Sequence, residues 1–379
     1  MLDERPARPR AALAAAACLL LLAACSSGPP GASATGPTSA PIDTAAAAEQ
    51  ARTFHTIATR DDWGNYGEQF SRFCTVRFGF DCNREDRDLG TDLSSAQEVQ
   101  QWDAERNNPT SILADIGILF IPQAREAGIL ADYQPPNVNL LPDDLHGPGW
   151  VATFVGVPTF MVNMGFLESH GLPIPESWAD LTNPAYSTPP LIGMSRPGVG
   201  SSSTWAFVAM NLAAGGSLTD WQPGIDYGRQ LLPNLTQSAS IETFERGEVP
   251  ISIRFEFSHG EWAEELTARG VDYRVIVPSD GSVYAQHTLM MNRFDLAHDD
   301  FAKMFMEWVL TDEGQLLFSK FGARPVRSVV GDTRVVVPQE LRANWLPDEA
   351  YADVTTIDWT RVESDQILDK WENQVVGGS

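Results

Sequence analysis

The chain has 379 residues, a formal net charge of −24 with neutral histidines, and 43% hydrophobic residues, including 11 tryptophans. This acidity argues against nucleic acid as a partner, because nucleic-acid binding requires a basic footprint. About 330 residues follow the first 50, more than one hydrophobic core usually supports, so we expect two lobes.

The first 24 residues have the features of an export signal. Arginines precede an almost wholly Ala and Leu run, residues 11–24, which ends at Cys25. That pattern is typical of a secretory signal, and about 14 apolar residues are too few for a membrane span, which needs about 20. Leu22-Ala23-Ala24-Cys25 resembles the lipobox of bacterial lipoproteins, which implies lipidation of Cys25 and anchoring at the extracytoplasmic face of the cell membrane. The alternative is a soluble protein cleaved near the same place.

The next segment is expected to be a flexible tether over residues 25–50. It consists mainly of Ser, Gly, Pro and Ala, with almost no large apolar side chain to offset the entropy of ordering. A random coil of about 25 residues spans about 27 Å on average.

Cys74 and Cys82 are the cysteines that remain after processing and lipidation. Their close spacing in an exported chain predicts a disulfide. A metal site would need further ligands nearby, and none of the six histidines is local.

The first part of the body alternates strands and helices. Residues 54–59 and 114–121 have the apolar character of strands, and helices are expected to begin near Glu68 and after Pro122. This alternation predicts an α/β fold with mostly parallel sheets flanked by helices.

The middle of the chain contains a long apolar run, residues 150–162, interrupted at Gly156-Val157-Pro158. Such a break allows the run to pass from one lobe to the other. A helix is predicted to begin near Ser201 or Ser202, because apolar residues then recur with helical spacing.

The later part continues this pattern. Alternating polarity predicts a half-buried strand over 250–257, and residues 271–277 are a second strand. Asp299 and Asp300 open an amphipathic helix, and residues 367–376 are helical. The last 40 residues are expected to wrap back onto a lobe.

Several segments together carry a family resemblance. In chain order they are 63–68 (WGNYGE), 175–184 (PESWADLTNP), 223–226 (PGID), 245–248 (ERGE), 277–281 (VPSDG), 311–315 (TDEGQ) and 322–327 (GARPVR). In this order the segments resemble the extracytoplasmic solute-binding proteins of ABC importers, with the type 2 periplasmic-binding-protein fold. The similarity is to the branch containing ferric-ion, polyamine, thiamine and aminophosphonate binders.

The resemblance implies a two-lobed, monomeric receptor that has no enzymatic activity, resident cofactor or metal. Lobe 1 would comprise residues 51–150 with 281–379, and lobe 2 residues 151–280, joined by hinge strands at 151–157 and 277–280. The partners implied are a small polar ligand bearing an amine, an oxyanion or both, together with permease and ATPase subunits. Closure about the hinge would trap the ligand between the lobes.

Two places after strands are candidate ligand contacts. Asn65 and Tyr66 follow the first strand, and Asp115 is an acid within an otherwise apolar strand, where it needs a partner or a ligand. Tyr66 packing as an aromatic lid and Asp115 capping a neighbouring helix are the alternatives.

A second candidate is an oxyanion cradle at Ser201, Ser202 and Ser203, where hydroxyls and helix N-terminal amides coincide. One serine simply capping the helix is the alternative. Arg196, just before this loop, is a further cation for an anionic group, unless its side chain is merely solvent-exposed.

Arg254 and Glu256 are two positions apart and are predicted to share one face of a strand. Related proteins often have an acid in an aromatic context here, and Phe255-Glu256-Phe257 fits an amine ligand. A structural ion pair, or binding of the two ends of a zwitterion, are the other interpretations. Tyr284 is assigned either to the cleft or to the hinge.

Ferric-ion binding and enzymatic activity are the two alternative functions. Ferric-ion binders of this group use adjacent tyrosines, whereas Tyr284 is followed by Ala285 and the sequence has no Tyr-Tyr pair. For a secreted lipoprotein enzyme, the sequence contains no Gly-x-Ser-x-Gly, His-Glu-x-x-His or phosphate-loop pattern.

Overall fold

The computed structural model describes residues 41–87, 94–342 and 345–378. The export signal, the lipobox with Cys25 and most of the expected tether lie outside these residues. Within the described ranges, no helix has both the length and the apolar character that a membrane crossing requires.

Strands and helices alternate along the body. In chain order the strands are β1 (Phe54–Ile57), β2 (Arg84–Asp86), β3 (Leu113–Gly117), β4 (His146–Gly147), β5 (Trp150–Gly156), β6 (Pro158–Asn163), β7 (Ile192–Gly193), β8 (Leu235–Thr236), β9 (Ile251–Phe255), β10 (Tyr273–Ile276), β11 (Ser282–Val283), β12 (Ala285–Met291), β13 (Arg324–Pro325) and β14 (Val354–Thr355). The helices are α1 (Thr44–Gln50), α2 (Tyr66–Phe78), α3 (Ser95–Ala104), α4 (Ile121–Glu126), α5 (Met164–Ser169), α6 (Ser201–Ala213), α7 (Gln222–Leu231), α8 (Ile241–Glu245), α9 (Glu256–Ala268), α10 (Asp299–Trp308), α11 (Asp312–Lys320), α12 (Val326–Val329) and α13 (Ile367–Asp369), which continues as a π-helix over Lys370–Val376.

Two sheets organise the fold. The first sheet has strand order β13-β5-β12-β3-β1-β2 with β4 beside β5, and the second has order β10-β6-β9-β7-β8. We call the elements built on them the first and second lobe. The predicted α/β class is confirmed.

The pairing within each sheet is more mixed than predicted. Strand β1 is parallel to β2 and β3, and β7 is parallel to β8 and β9. Strands β5, β6, β10 and β12 pair antiparallel with their neighbours. These four strands lie on either side of the two crossings between the sheets. The antiparallel pairing is therefore concentrated next to the crossings.

The chain passes from the first sheet to the second at Val157, between β5 and β6. It returns between β10 and β12 through β11, which pairs with β14 from the C-terminal segment. The predicted lobe limits of 51–150, 151–280 and 281–379 remain a prediction, and sheet membership locates the first crossing at Val157.

The predicted tether is wrong for its last seven residues, since Thr44–Gln50 forms helix α1. The Asp43 side chain caps this helix by accepting hydrogen bonds from the amides of Ala45 and Ala46 at 2.9 and 3.1 Å. Ala47 is fully buried, and the Gln50 side chain accepts a hydrogen bond from the Phe301 amide at 2.8 Å on α10. Consecutive alanines favour a helix and pack closely without a large apolar side chain.

The strands predicted over 54–59, 114–121, 250–257 and 271–277 all end earlier than expected, at Ile57, Gly117, Phe255 and Ile276. Strand β3 stops at Gly117, where a 3-10 turn over Ile118–Phe120 leads into α4. Strand β9 stops at Phe255, and Glu256 is the first residue of α9. By contrast, the predicted starts of α6 and α10 at Ser201 and Asp299 are confirmed.

The C-terminal segment contacts both lobes, as expected for a chain that wraps back. Trp359 donates its indole N–H to the Asp144 carbonyl oxygen at 2.8 Å in the first lobe. Trp371 packs edge-on against Phe207 of α6 at 5.3 Å in the second lobe. This segment therefore links the lobes independently of the two crossings.

The predicted disulfide between Cys74 and Cys82 is confirmed, with 5.6 Å between the Cα atoms. It joins the last turn of α2 to the loop before β2.

We expect the Cys74→Ser, Cys82→Ser double variant to lose roughly 2 to 3 kcal/mol of unfolding free energy, because the bridge restricts the unfolded chain. Chemical denaturation of both proteins under oxidising conditions measures the difference. A Cys18→Ser variant, altered within the export signal, is the control. Equal midpoints for the double variant and the parent chain would contradict the expectation.

Candidate functional site

An aromatic cluster lies where the two lobes meet. The first lobe contributes Trp63, Phe154, His287 and Phe321, and the second lobe contributes Phe255 and Phe257. Phe257 lies 5.5 Å from Trp63, 5.7 Å from Phe154 and 5.2 Å from Phe321, measured between ring centroids. We call these six rings the interlobe cluster. Because its members come from both sheets, any rotation of the lobes must separate them.

Asp115 on β3 anchors the first-lobe side of this cluster. Its Oδ1 accepts hydrogen bonds from Trp63 Nε1 at 3.2 Å and from His287 Nδ1 at 2.9 Å, and its Oδ2 accepts one from the Tyr66 hydroxyl at 2.8 Å. Asp115 is 4% exposed. The cost of burying a carboxyl is thus offset by three donors, and the predicted need for a partner is met inside the lobe.

Tyr66 and Asn65 also make contacts within the first lobe. Tyr66 is fully buried against Phe318, and burial together with Asp115 raises the pKa of its hydroxyl well above the usual value. The Asn65 side-chain amide donates to Glu68 and to the Leu317 carbonyl oxygen, at 3.0 and 2.9 Å. Their ligand contacts stay a prediction, and the contacts observed position Asp115 and α11.

His287 was missed by the sequence analysis as a site residue. Its ring stacks on Phe154 at 4.7 Å with 7° between the planes, and it is 2% exposed. Its Nδ1 lies 2.9 Å from Asp115 Oδ1, and its Nε2 has no hydrogen-bond partner among the described residues. A polar residue in the apolar strand β12 was the available signal, the same one that singled out Asp115.

Glu256 lies at the crossing between the lobes. Its backbone amide donates to the Val157 carbonyl oxygen at 3.0 Å, and its Oε2 accepts a hydrogen bond from the Val157 amide. Oε1 is inaccessible and has no partner within the described ranges. Burial raises the pKa of Glu256 to about 7, against the opposing effects of the Val157 amide and of the positive charge on Arg324.

The same-face pairing predicted for Arg254 and Glu256 is wrong, because β9 ends between them. The Arg254 guanidinium lies over the Trp262 ring at 4.9 Å. Nearby Glu261 has its pKa raised to about 7 by burial, while Arg254 acts to lower it. Arg254 therefore lies beside Trp262 and Glu261 of α9.

The serines at the start of α6 lie against the first lobe. Ser201 Oγ approaches Gly117 so closely that a Cβ at that glycine would lie 2.3 Å from it. Ser203 donates to the carbonyl oxygens of Arg196 and Gly200 at 2.9 and 3.1 Å, and Ser202 is half-buried. The capping alternative is wrong, since Gly200 occupies the N-cap and no side chain caps α6. The oxyanion cradle remains a prediction.

Arg196 and Tyr284 both contact the C-terminal segment. The Arg196 side chain is 62% exposed and pairs with Glu372 of the C-terminal segment at 3.2 Å. Tyr284 lies between β11 and β12, and its amide donates to the Thr355 carbonyl oxygen at 3.0 Å. The backbone contact of Tyr284 is typical of a hinge position.

No group of three or more His, Cys, Asp or Glu side chains in the described part of the chain is arranged to hold a metal ion.

Comparison with known proteins adds a family match. A family model described as bacterial extracellular solute-binding protein matches residues 111–357. A Haemophilus influenzae protein described as uncharacterized is 28% identical over 244 residues, which are 60% of this chain. The match spans 66% of the length of that curated relative.

Solved structures resemble the whole body. The periplasmic binding protein AfuA from Actinobacillus pleuropneumoniae, with exogenous fructose-6-phosphate bound, is 20% identical, with a TM-score of 0.62 over 86% of this chain and 98% of its own. The periplasmic binding protein P5PA has 19% identity and a TM-score of 0.66, over 85% of this chain and 99% of its own. The ferric binding protein from Campylobacter jejuni has 14% identity and a TM-score of 0.62, over 86% and 98%. At these identities the likeness establishes the fold.

The raised pKa of Glu256 predicts a pH dependence of stability. A folded-state pKa near 7 against an ordinary value of 4.5 means that the folded chain holds this proton more tightly, so the stabilisation is complete below about pH 4.5 and is lost as pH rises towards 7. Glu256→Gln is expected to remove this loss, which amounts to about 3 kcal/mol at most. Urea denaturation between pH 4.5 and 7.5 measures it, with exposed Glu168→Gln as the control. Parallel curves for Glu256→Gln and the parent chain would contradict it.

Proposed function

Because the chain belongs to the bacterial extracellular solute-binding proteins, we propose that it is the lipid-anchored receptor of an ABC importer. It captures a small polar solute bearing an amine, an oxyanion or both, closes its lobes around it and delivers it to the permease. Cys25 carries the anchor, and the segment after it is the tether.

One observation carries this proposal. We call the region around the interlobe cluster, Glu256 and Ser201 the junction. Its polar and aromatic groups come from both lobes, and Val157 is the single residue between the two strands that join those lobes. Rotation about such a crossing opens and closes the junction without disturbing either sheet, as in hinged binding proteins. Solute capture therefore needs no chemical step on the solute.

The solute class follows from the side chains at the junction. Glu256 offers a carboxyl for an amine, and aromatic faces such as Phe257 and Trp63 favour cations and planar groups. Ser201 and the free amides of the first α6 turn favour an oxyanion. Among the structural relatives, AfuA has fructose-6-phosphate bound and the Campylobacter protein is a ferric binding protein. The fold thus accommodates different solutes, and the junction side chains select among them.

The anchor and tether support delivery. A coil over residues 26–43, before α1 begins, spans about 23 Å, so a loaded receptor stays close to the membrane. Confinement near the permease raises the effective concentration of the receptor there.

We expect at least one solute from a panel of polyamines, aminophosphonates, phosphate esters, thiamine and ferric iron to raise the Tm of the mature chain. A solute at 100 times its Kd stabilises the folded chain by about 2.7 kcal/mol. Thermal unfolding with each compound, followed by chemical recovery of the compound, measures both binding and turnover. Conversion of the compound would favour an enzyme, and a chain stabilised by a protein partner but by no solute would contradict the receptor.

The anchor is tested by Cys25→Ser. We expect the parent chain to incorporate labelled fatty acid and to sediment with membranes, and the variant to do neither, because the thiol that accepts the lipid is gone. Cys18→Ser is the matched control, since that residue lies within the cleaved signal. Membrane association of Cys25→Ser equal to that of Cys18→Ser would contradict a lipid anchor at Cys25.

A further inference from the structure

Two residues of opposite charge, one from each lobe, have shielded polar atoms at the hinge side of the junction. Glu256 begins α9 in the second lobe, and Arg324 begins β13 in the first lobe, where it pairs with Val155 of β5. Each has polar atoms that are shielded from solvent and have no hydrogen-bond partner among the described residues. Unpartnered buried polar atoms are costly, so their convergence indicates that another group completes them.

The Glu256 carboxyl is held in one orientation with one oxygen left over. Oε2 is occupied by the Val157 amide, whereas Oε1 has no partner. The residue is 7% exposed. A donor reaching Oε1, such as an ammonium group, would meet a carboxyl that is already oriented.

The Arg324 guanidinium lies over two aromatic rings. It lies 3.8 Å from the Tyr351 ring centroid and 4.4 Å from the Trp345 ring centroid. Its Nε and Nη2 are shielded from solvent and have no partner within the described ranges. Nε and Nη2 form the edge that pairs with both oxygens of a carboxylate or phosphonate, and stacking fixes that edge in place.

The two charges lie within electrostatic reach of one another. Arg324 lowers the pKa of Glu256, although burial has the larger opposite effect, and both charges act on the pKa of Tyr351. The geometry agrees, because Arg324 pairs with Val155 on β5 and the Glu256 amide donates to the Val157 carbonyl oxygen two residues further along the chain. Arg324 in turn lies over the Tyr351 ring. Arg254, the cation first paired with Glu256 from the sequence, stacks on Trp262 instead.

We propose that Glu256 and Arg324 form a two-charge subsite that selects a zwitterionic solute, with its ammonium group at Glu256 Oε1 and its oxyanion at the Nε–Nη2 edge of Arg324. This inference rests on the proposed function, because it assigns the ligand class of the same junction. A solute with one charge leaves the other buried group without a partner. That penalty gives discrimination of at least about tenfold against each singly charged analogue.

The test uses two matched series on the mature chain. One is 2-aminoethylphosphonate, ethylphosphonate and ethylamine, and the other is 3-aminopropionate, propionate and propylamine. Titration calorimetry is expected to show that at least one zwitterion binds, with both of its singly charged analogues at least tenfold weaker. Failure of both zwitterions to bind, or equal binding of an analogue, overturns the inference without any variant.

Substitutions then separate the two charges. Glu256→Gln is expected to lose the preference for the zwitterion over its anionic analogue, and Arg324→Gln the preference over its amine analogue. Arg246→Gln, at an exposed ion pair with Glu248, should keep both preferences. Circular dichroism melting checks that each variant is folded, and unchanged preferences in folded variants overturn the assignment.

The outcomes also distinguish this inference from the proposed function. If a non-zwitterionic solute from the wider panel stabilises the chain, the receptor stands and the two-charge subsite is wrong. If no solute of either panel binds, both are wrong.

Discussion

The pair of hydrogen bonds between Val157 and Glu256 connects the structure of this chain to its proposed action. Val157 is the residue at which the chain leaves the first sheet, and the antiparallel pairing of β6 with β9 ends one position away, at Pro158 and Phe255. The Glu256 amide and carboxyl extend that pairing to Val157 itself. A carboxyl that faces the junction is therefore attached to the backbone of the crossing. Under the proposed function, any group that binds the free oxygen of Glu256 acts directly on the crossing about which the lobes would rotate.

The first lobe prepares the opposite wall of the junction. Three donors fix Asp115, and Asp115 in turn orients His287 against Phe154. Asp115 is buried and both of its carboxyl oxygens are hydrogen-bonded, so this wall is a rigid surface rather than an adaptable one. Phe255 and Phe257 of the second lobe pack against this wall. Arg324 lies over the rings of Trp345 and Tyr351 in the C-terminal segment. The proposed clamp for a small solute requires such a rigid wall together with a short crossing like the single residue between β5 and β6.

Local patterns in the sequence were sufficient for the α/β class, the break at Val157, the starts of α6 and α10 and the disulfide. Those features depend on hydrophobic periodicity, on breaks at Gly and Pro, and on cysteine spacing, all within about ten residues. The helix at Thr44–Gln50 was missed because its burial depends on α10, some 250 residues away in sequence. The end of β9 at Phe255 was missed because polar and apolar residues continue to alternate through Glu256, whereas the extended backbone ends at Phe255. His287 and Arg324 gain significance only from partners that are distant along the chain, Asp115 for one and Trp345 and Tyr351 for the other.

The central claim is that the chain works by closing its lobes over a solute. Fluorescence energy transfer between labels at Glu126 on α4 and Glu168 on α5, both exposed and on different lobes, measures it most directly. We expect a solute that binds with one-to-one stoichiometry to shift the transfer efficiency towards a single, closed population, with an affinity that matches the calorimetric Kd. Stoichiometric binding with no change in the distance distribution would contradict the clamp.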